Sequence, residues 1–261
     1  MDMGLTGKNA LITGGSRGIG RATAFVLAEE GCKVAICARG EEKLSSTLDE
    51  LRTVAPMAWG ATADVTSSAE VDAFVSGAAE QLGGVDVLVC NVGGASGGSA
   101  LNATDEEWHA TLDVNLMHSV RTIRAVVPYM KERGGGSIVI VSSISGWKPG
   151  PGAQYGSAKA AEIFLSSALA WELADHHIRV NTLSPGSIYF SGGGWATFEA
   201  EEPELYAKFL DNELPEKRLG TDREVAEVIA FLCSARSRWI NGAMVPVDGG
   251  QGRPTGKWFA R

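Results

Sequence analysis

Short runs of apolar residues alternate with longer helical patterns along the whole chain, and this alternation constrains the fold most. Because the runs are continuous rather than interleaved with polar residues, they predict strands buried on both faces, as in a parallel sheet. The seven runs are NALIT (Asn9–Thr13), KVAICA (Lys33–Ala38), the weaker MAWGATAD (Met57–Asp64), VDVLVC (Val85–Cys90), SIVIVS (Ser137–Ser142), RVNTLS (Arg179–Ser184) and AMVPVD (Ala243–Asp248).

Helical patterns fill the spaces between these runs. The segments are Gly18–Glu30, Glu41–Leu51, Ser67–Leu82, Asp105–Glu132, Ala153–Leu173 and Asp222–Ser234. Three S/T-x-x-E patterns, beginning at Ser67, Thr104 and Thr221, predict capping boxes at helix starts. We therefore expect an α/β fold: one doubly wound (Rossmann), mainly parallel seven-stranded sheet with helices on both faces. No linker or repeat divides the chain, so residues 1–261 are predicted to form a single domain.

Charge and composition exclude several functional classes. The formal net charge of -8 suits neither DNA nor RNA backbones. The N-terminus has no signal-peptide pattern, and no apolar run approaches the roughly 18 residues of a membrane span. The four cysteines form no C-x-x-C pair and the four histidines no H-x-x-x-H pair. We expect no metal site, free buried thiols in a reducing cytoplasm, and histidines with surface or helix-packing roles.

The stretch ITGGSRGIG (Ile12–Gly20) follows a predicted strand and opens a predicted helix. It does not contain the G-x-x-x-x-G-K-[ST] pattern of a P-loop, nor G-x-G-x-x-G. It does contain T-G-x-x-x-G-x-G, formed by Thr13, Gly14, Gly18 and Gly20. Small residues allow a tight turn and let a pyrophosphate approach a helix N-terminus. This spacing resembles that of the short-chain dehydrogenase/reductase family.

Further motifs in the same order extend the resemblance over nearly the whole chain. They are CNVGG (Cys90–Gly94), DVN (Asp113–Asn115), VSSISG (Val141–Gly146), YGSAK (Tyr155–Lys159), LSPG (Leu183–Gly186) and INGAMVPVDGG (Ile240–Gly250). CNVGG departs from the family's N-N-A-G at Cys90 and Val92. This departure touches a motif thought to steady the central strands and not the catalytic residues.

The resemblance implies a catalytic set of Asn115, Ser143, Tyr155 and Lys159. Ser142 and Ser145 remain alternatives to Ser143. On a helix, residues four apart share a face, so the Y-x-x-x-K pattern sets a phenol beside an ammonium. A free tyrosine has a pKa of about 10, and a neighbouring positive charge favours the phenolate. By resemblance, Asn115 holds a water that links Lys159 to solvent.

The resemblance also implies a set of cofactor-binding residues. Asp64, with Val65, would contact the adenine, and the residues after Pro185 would reach the nicotinamide amide. The full set is Gly14, Ser16, Arg17, Gly18, Ile19, Gly20, Arg39, Asp64, Val65, Asn91, Gly93, Tyr155, Lys159, Pro185, Gly186 and Ile188.

The end of the second strand bears on which dinucleotide is bound. An NAD-preferring site usually has Asp or Glu there to bind the ribose 2′-hydroxyl, and Ala38 occupies that position. Arg39 follows at once, and Arg17 lies in the first glycine loop. A guanidinium binds phosphate in a bidentate manner. We therefore predict NADP(H) rather than NAD(H).

The segment 187–214 is the least family-like, and its position after Pro185–Gly186 is that of the family's substrate lid. Gly192–Gly194 would provide a hinge. Aromatic side chains could line an apolar substrate pocket, with core packing or a subunit contact as the alternative. The candidate substrate residues are Ser143, Trp147, Tyr155, Tyr189, Phe190 and Trp195; Phe198 is a further aromatic of this segment.

These observations predict hydride transfer between a nicotinamide and a carbonyl or secondary alcohol, with Tyr155 as general acid and base. Reduction of a 3-oxoacyl thioester on acyl carrier protein is the alternative within the family. The acidic run Glu199–Glu204 argues mildly against an anionic carrier. A non-catalytic NADP-binding sensor or scaffold is the alternative from another class. By resemblance we expect a homo-oligomer, tetramer or dimer, formed through the helices that contain Asn115 and Tyr155.

Overall fold

The computed structural model describes residues 2–150 and 152–253. In this part of the chain seven parallel strands form one sheet in the order β3-β2-β1-β4-β5-β6-β9. The strands are β1 (Asn9–Thr13), β2 (Lys33–Ala38), β3 (Trp59–Thr62), β4 (Val87–Cys90), β5 (Gly136–Val141), β6 (Ile178–Pro185) and β9 (Met244–Val247). Two further strands, β7 (Ile188–Tyr189) and β8 (Gly220–Thr221), pair with each other. The predicted seven-stranded doubly wound sheet is confirmed.

The helices lie between the strands, as the alternating pattern predicts. They are α1 (Gly18–Glu29), α2 (Glu41–Arg52), α3 (Ser68–Leu82), α4 (Asp105–Leu112), α5 (His118–Glu132), α6 (Ala153–Glu172), α7 (Gly194–Glu201), α8 (Pro203–Glu213) and α9 (Asp222–Cys233). The six predicted segments end within a residue or two of the observed helices, except that a π-helical segment separates α4 from α5. The helices α7 and α8 were not among the predicted segments. No helix of the described residues is long and apolar enough to cross a membrane.

Two apolar cores cover the two faces of the sheet. In β1, Ala10 and Ile12 pack in the core formed with α1, α2 and α9. Leu11, between them, packs in the core formed with α3, α5 and α6. Successive side chains of a strand point to opposite faces, so continuous apolar runs supply both cores at once.

Two of the three predicted capping boxes are complete. Thr104 at the start of α4 and Thr221 at the start of α9 each accept a hydrogen bond from the backbone of the glutamate three residues later, which bonds back. The third is incomplete. Ser67 accepts from Glu70 N, but the Glu70 carboxylate instead accepts from the backbone N of Asp64. The Glu70 side chain therefore joins the start of α3 to the β3–α3 loop and does not close the capping box.

The order of the strands fixes where a ligand can bind. From β1 the chain adds β2 and β3 towards one edge of the sheet, and from β4 it adds β5, β6 and β9 towards the other edge. The order of addition therefore switches between the neighbours β1 and β4. In open α/β sheets the crevice beyond the carboxyl ends of the strands at such a point is the ligand site. The glycine cluster after β1 and the CNVGG stretch after β4 meet at this crevice.

Candidate active site

A cavity of about 480 Å³ opens at the carboxyl ends of the strands. Most of the residues predicted to bind a cofactor or act in catalysis line it. They are Gly14, Ser16, Arg17, Gly18, Ile19, Arg39, Asp64, Val65, Asn91, Gly93, Ser143, Tyr155, Lys159, Pro185, Gly186 and Ile188, joined by the substrate candidates Phe190 and Trp195. Gly20, Asn115, Trp147 and Tyr189 are not among the lining residues.

The N-terminus of α1 faces this cavity. Gly14 and Gly18 have φ angles of 68° and 52°, which favour glycine. Arg17 precedes the helix and makes no side-chain capping hydrogen bond, so the first backbone N–H groups of α1 are open to an anion. Gly20 lies behind the loop: a Cβ there would overlap the Gly14 carbonyl oxygen and the Asn91 side-chain amide. Gly20 therefore permits the close packing of α1 on the sheet.

Two arginines line the cavity. Arg39 directly follows Ala38, the buried last residue of β2, and Arg17 lies in the glycine loop after β1. Asp64 lines the cavity as well. Hydrogen bonds from the backbone N and the hydroxyl of Thr66 lower the pKa of Asp64, with a smaller contribution from the charge of Arg39. These three residues contribute two guanidinium groups and one ionised carboxylate to the cavity wall.

Asn91 holds the end of β4 against the glycine loop. Its side-chain amide donates to the carbonyl oxygens of Thr13 and Gly14, at 3.1 and 3.3 Å. Its backbone N donates to Thr13 Oγ1, which also hydrogen-bonds His118 Nε2 at 2.8 Å. His118 is fully buried, and burial together with the charge of Lys159 lowers its pKa to about 3. His118 is therefore a neutral packing residue of α5.

Asn115 lies in the π-helical segment Asp113–Met117, where a single uninterrupted helix was expected. It is fully buried, and its side-chain N donates to the carbonyl oxygens of Gly94 and Thr111 at 2.6 and 2.7 Å. Its Oδ1 accepts from Gly94 N at 3.3 Å. Wider i→i+5 turns recur at functional sites in helices. Here the wide turn accompanies the attachment of Asn115 to the loop after β4.

The three serine alternatives differ in their contacts. The Ser142 hydroxyl is buried and donates to the backbone carbonyl of Lys159 at 2.8 Å, which joins β5 to α6. The Ser143 hydroxyl accepts from Ser145 N at 3.1 Å and keeps its proton for another acceptor. Ser143 and Ser142 both line the cavity, and Ser145 does not. The contacts favour Ser143 for binding a substrate oxygen.

Lys159 lies beneath Tyr155 on α6. Its Nζ is 5.7 Å from the centre of the Tyr155 ring and donates to Val141 O at 3.0 Å. The Glu162 carboxylate lies 3.0 Å away through Oε2, although sequence reasoning did not identify Glu162 as a site residue. A Cβ on Gly93 would lie 2.8 Å from Asn115 Oδ1 and 3.0 Å from Lys159 Nζ. Gly93 therefore brings the cavity up to both groups.

A second residue that sequence reasoning missed holds the loop after β6. Gln251 is fully buried; its Oε1 accepts from Ser187 N at 2.7 Å and its Nε2 donates to Ser187 Oγ at 2.9 Å. A Cβ on Gly186 would lie 2.7 Å from the same Oε1. Lys148 also pairs with Asp248 at 2.9 Å. The residues after β9 therefore fix the cavity wall; Asp248 belongs to the INGAMVPVDGG motif, and Gln251 follows directly after it.

The aromatic substrate candidates differ in whether they line the cavity. Phe190 lies against the glycine loop, since a Cβ on Gly18 would be 3.1 Å from its ring. Trp195 lines the cavity and stacks on Phe209 with ring centres 4.7 Å apart. Tyr189 is 37% exposed and lies outside the cavity lining, and so does Trp147, whose ring instead packs under Lys148 Nζ. Phe198 packs edge-on against Trp195.

A family model described as short chain dehydrogenase matches residues 8–200. The chain belongs to the short-chain dehydrogenase family. It is 37% identical over 250 residues to dehydrogenase/reductase SDR family member 4 of Homo sapiens, covering 94% of this chain and 88% of that one. It is 35% identical over 245 residues to the 3-oxoacyl-(acyl-carrier-protein) reductase FabG of Staphylococcus epidermidis, covering 93% and 98%.

Solved structures give the same assignment. L-sorbose reductase from Gluconobacter frateurii, complexed with NADPH and L-sorbose, superposes with a TM-score of 0.90 at 34% identity, covering 96% of this chain and 98% of that one. A 7α-hydroxysteroid dehydrogenase complexed with NADH and 7-oxo glycochenodeoxycholic acid superposes with a TM-score of 0.88 at 30% identity, covering 96% of each. The protein is therefore a short-chain dehydrogenase, an oxidoreductase acting on CH–OH and C=O groups.

Proposed function

We propose that this short-chain dehydrogenase transfers a hydride between NADP(H) and a carbonyl or secondary alcohol, with Tyr155 as general acid and base. The observation that carries the proposal is one continuous cavity. Its wall includes the glycine loop and two arginines together with Ser143, Tyr155 and Lys159.

The residues present fit a dinucleotide. Positive-φ glycines and the uncapped N-terminus of α1 leave room and donors for a pyrophosphate. Arg17 and Arg39 would hold a 2′-phosphate, because no carboxylate stands at Ala38 to bind a free ribose hydroxyl there. The related structures contain NADPH in one case and NADH in the other, so the arginines carry the preference for NADP(H).

The side chains that line the cavity would then transfer one proton to or from the substrate oxygen. When bound, the nicotinamide supplies or accepts the hydride at the substrate carbon. Ser143 donates a hydrogen bond to the substrate oxygen, and Tyr155 gives that oxygen its proton in reduction and takes it back in oxidation. Lys159 favours the phenolate through its charge and binds the nicotinamide ribose. Asn115 holds a water that connects Lys159 to solvent.

An apolar or aromatic ketone suits the substrate side better than a carrier-bound acyl chain. Phe190 and Trp195 line the cavity, and segment 187–214 is proposed as the lid. The acidic residues at the end of α7 are exposed, which disfavours an anionic carrier. The identity to the acyl-carrier-protein reductase keeps 3-oxoacyl thioesters as the second candidate substrates.

A screen of NADPH oxidation tests the proposal, with simple ketones, acetoacetyl thioesters and sugar lactones side by side and NADH as the control cofactor. We expect turnover with a ketone and a preference for NADPH. Tyr155→Phe should lower turnover about 10²–10⁴-fold while NADPH still binds. Full activity in that variant would remove Tyr155 from the mechanism. NADPH binding without turnover of any substrate would favour the sensor or scaffold function.

We further propose a cytoplasmic homo-oligomer, a tetramer or dimer. Phe164 and Trp171 on α6 are 76% and 88% exposed in the single chain, and large apolar groups on one helix suit a subunit contact. The four cysteines are buried and free, as in a reducing compartment. Light scattering of Phe164→Ser and Trp171→Ser variants would measure the contact, because loss of both side chains should lower the molecular mass.

A further inference from the structure

Glu162 is a buried carboxylate in contact with the proposed catalytic lysine. It follows Lys159 by three residues on α6, so the two side chains share a face of the helix. Their side chains are 1% and 2% exposed. Glu162 Oε2 lies 3.0 Å from Lys159 Nζ, and Oε1 accepts a hydrogen bond from it at 3.3 Å. Glu162 does not line the cavity and would not touch a substrate.

The contacts of this carboxylate show what it acts on. Burying a charge is costly unless the charge is paired. Within residues 2–150 and 152–253, Glu162 Oε2 forms no hydrogen bond, and the ion pair with Lys159 is its compensation. Both partners belong to α6, so the pair attaches no second element to that helix. A purely structural role would instead join α6 to a strand, as the Lys159 bond to Val141 O does.

Among the described residues, three other titratable groups face Lys159. Tyr155 is on the same helix, Cys90 ends β4, and His118 is on α5. Burial raises the pKa of Cys90 and lowers that of His118, so both are neutral at pH 7. Burial disfavours the Lys159 ammonium, but the charges of Glu162 and Tyr155 raise its pKa above the usual value. Burial raises the pKa of Glu162 itself, and the charge and hydrogen bond of Lys159 act in the opposite direction. Glu162 is therefore the carboxylate that pairs with the Lys159 ammonium.

We propose that Glu162 is a positioning residue that keeps Lys159 charged and holds its ammonium between Val141 O and the Tyr155 ring. Lys159 is then ready to bind a ribose and to favour the phenolate as soon as the cofactor enters. This inference rests on the proposed function, because Glu162 acts only through Lys159.

The pH dependence of NADPH binding tests the role without requiring turnover. Protein fluorescence would give the Kd between pH 7 and 10 for wild type, Glu162→Gln and Glu162→Asp. An opposite charge at this distance shifts a pKa by roughly 1–3 units, so Lys159 should lose its proton within this range only in Glu162→Gln. We expect the Kd of Glu162→Gln to rise about tenfold across the range, as one charge-assisted hydrogen bond is lost. Glu162→Asp and wild type should stay nearly constant.

Matched controls separate the charge pair from other effects. Glu172→Gln removes an exposed carboxylate at the end of the same helix and should match wild type. Glu162→Met removes the charge without leaving a buried amide. If Glu162→Gln does not fold, Glu162→Met takes its place in the series, with the same expected rise in Kd. In a Lys159→Met background, Glu162→Gln should add no pH dependence, since the partner is gone.

The pH profile of alcohol oxidation provides the second readout. In Glu162→Gln the acid limb should move to higher pH by about one unit or more, because an uncharged Lys159 no longer favours the phenolate. An unchanged limb or a shift to lower pH would overturn the proposal, as would a Kd effect that persists in the Lys159→Met background. If wild type binds NADPH but turns over no substrate, the proposed function fails and the binding series alone decides the role of Glu162. If the protein binds no dinucleotide, both the proposed function and the proposed role of Glu162 are overturned.

Discussion

Replacing Gly20 with alanine tests the close packing of α1 against the sheet. The new Cβ would lie closer than 3.0 Å to both the Gly14 carbonyl oxygen and the Asn91 side-chain amide. Asn91 is held by hydrogen bonds to the backbone of Thr13 and Gly14, so it has little freedom to move away. Either α1 shifts outward or these hydrogen bonds break.

Two opposing effects determine how much the free energy of unfolding changes in Gly20→Ala. Alanine in a helix interior is favoured over glycine by about 1 kcal/mol. Overpacking typically costs about 1–3 kcal/mol, and each lost hydrogen bond about 1 kcal/mol more. We expect a net loss of about 2 kcal/mol in the free energy of unfolding, or a fall of roughly 4–8 °C in Tm for a chain of this size. NADPH binding should weaken as well, because the N-terminus of α1 moves with the helix.

Urea unfolding of Gly20→Ala and thermal scans would measure this, with Gly194→Ala as the matched control. Gly194 is also helical, as the first residue of α7, and a Cβ there meets nothing within 4 Å. That control should be neutral or slightly stabilising. If Gly20→Ala were as stable as Gly194→Ala relative to wild type, the close approach of α1 to Gly14 would be refuted.

Three further predictions address the cofactor, pH dependence and the cavity wall. Arg39→Ala should raise the KM for NADPH roughly 10–100-fold and leave that for NADH nearly unchanged, as expected for one lost ionic hydrogen bond to phosphate; equal effects on both cofactors would contradict a 2′-phosphate contact. The pKa of His118 is about 3 in the folded protein, against the usual 6.5 of a histidine, so the unfolded chain binds the extra proton and stability is lost as pH falls below 6.5. His118→Gln should reduce that dependence by up to about 1.4 kcal/mol per pH unit in urea titrations at pH 7, 6 and 5, and identical slopes would disprove it. Gln251→Ala leaves Ser187 N unpaired and should lower the free energy of unfolding by about 1–3 kcal/mol; a loss below 0.5 kcal/mol in urea would argue that water replaces Gln251.

The sequence by itself determined the sheet, its helices and most of the cavity lining. Apolar runs are local patterns, and their alternation with helical segments leaves little choice of topology. The glycine loop from Gly14 to Gly18 and the Tyr155–Lys159 pair were likewise recognisable. In each case the chemistry depends on residues a few positions apart in one element, and that spacing is visible in the chain.

Other features depended on contacts between distant parts of the chain. Only packing shows that the Ser142 hydroxyl donates its proton to the Lys159 carbonyl, whereas the Ser143 hydroxyl accepts from Ser145 N and keeps its proton. The π-helical turn around Asn115 coincides with hydrogen bonds from its side chain to the loop after β4, and Gln251 reaches a loop 64 residues earlier. Trp147 could not be placed from local sequence either, because the orientation of an aromatic ring depends on its neighbours. Tertiary structure decided these points, since side-chain contacts between separate elements follow from packing rather than from spacing.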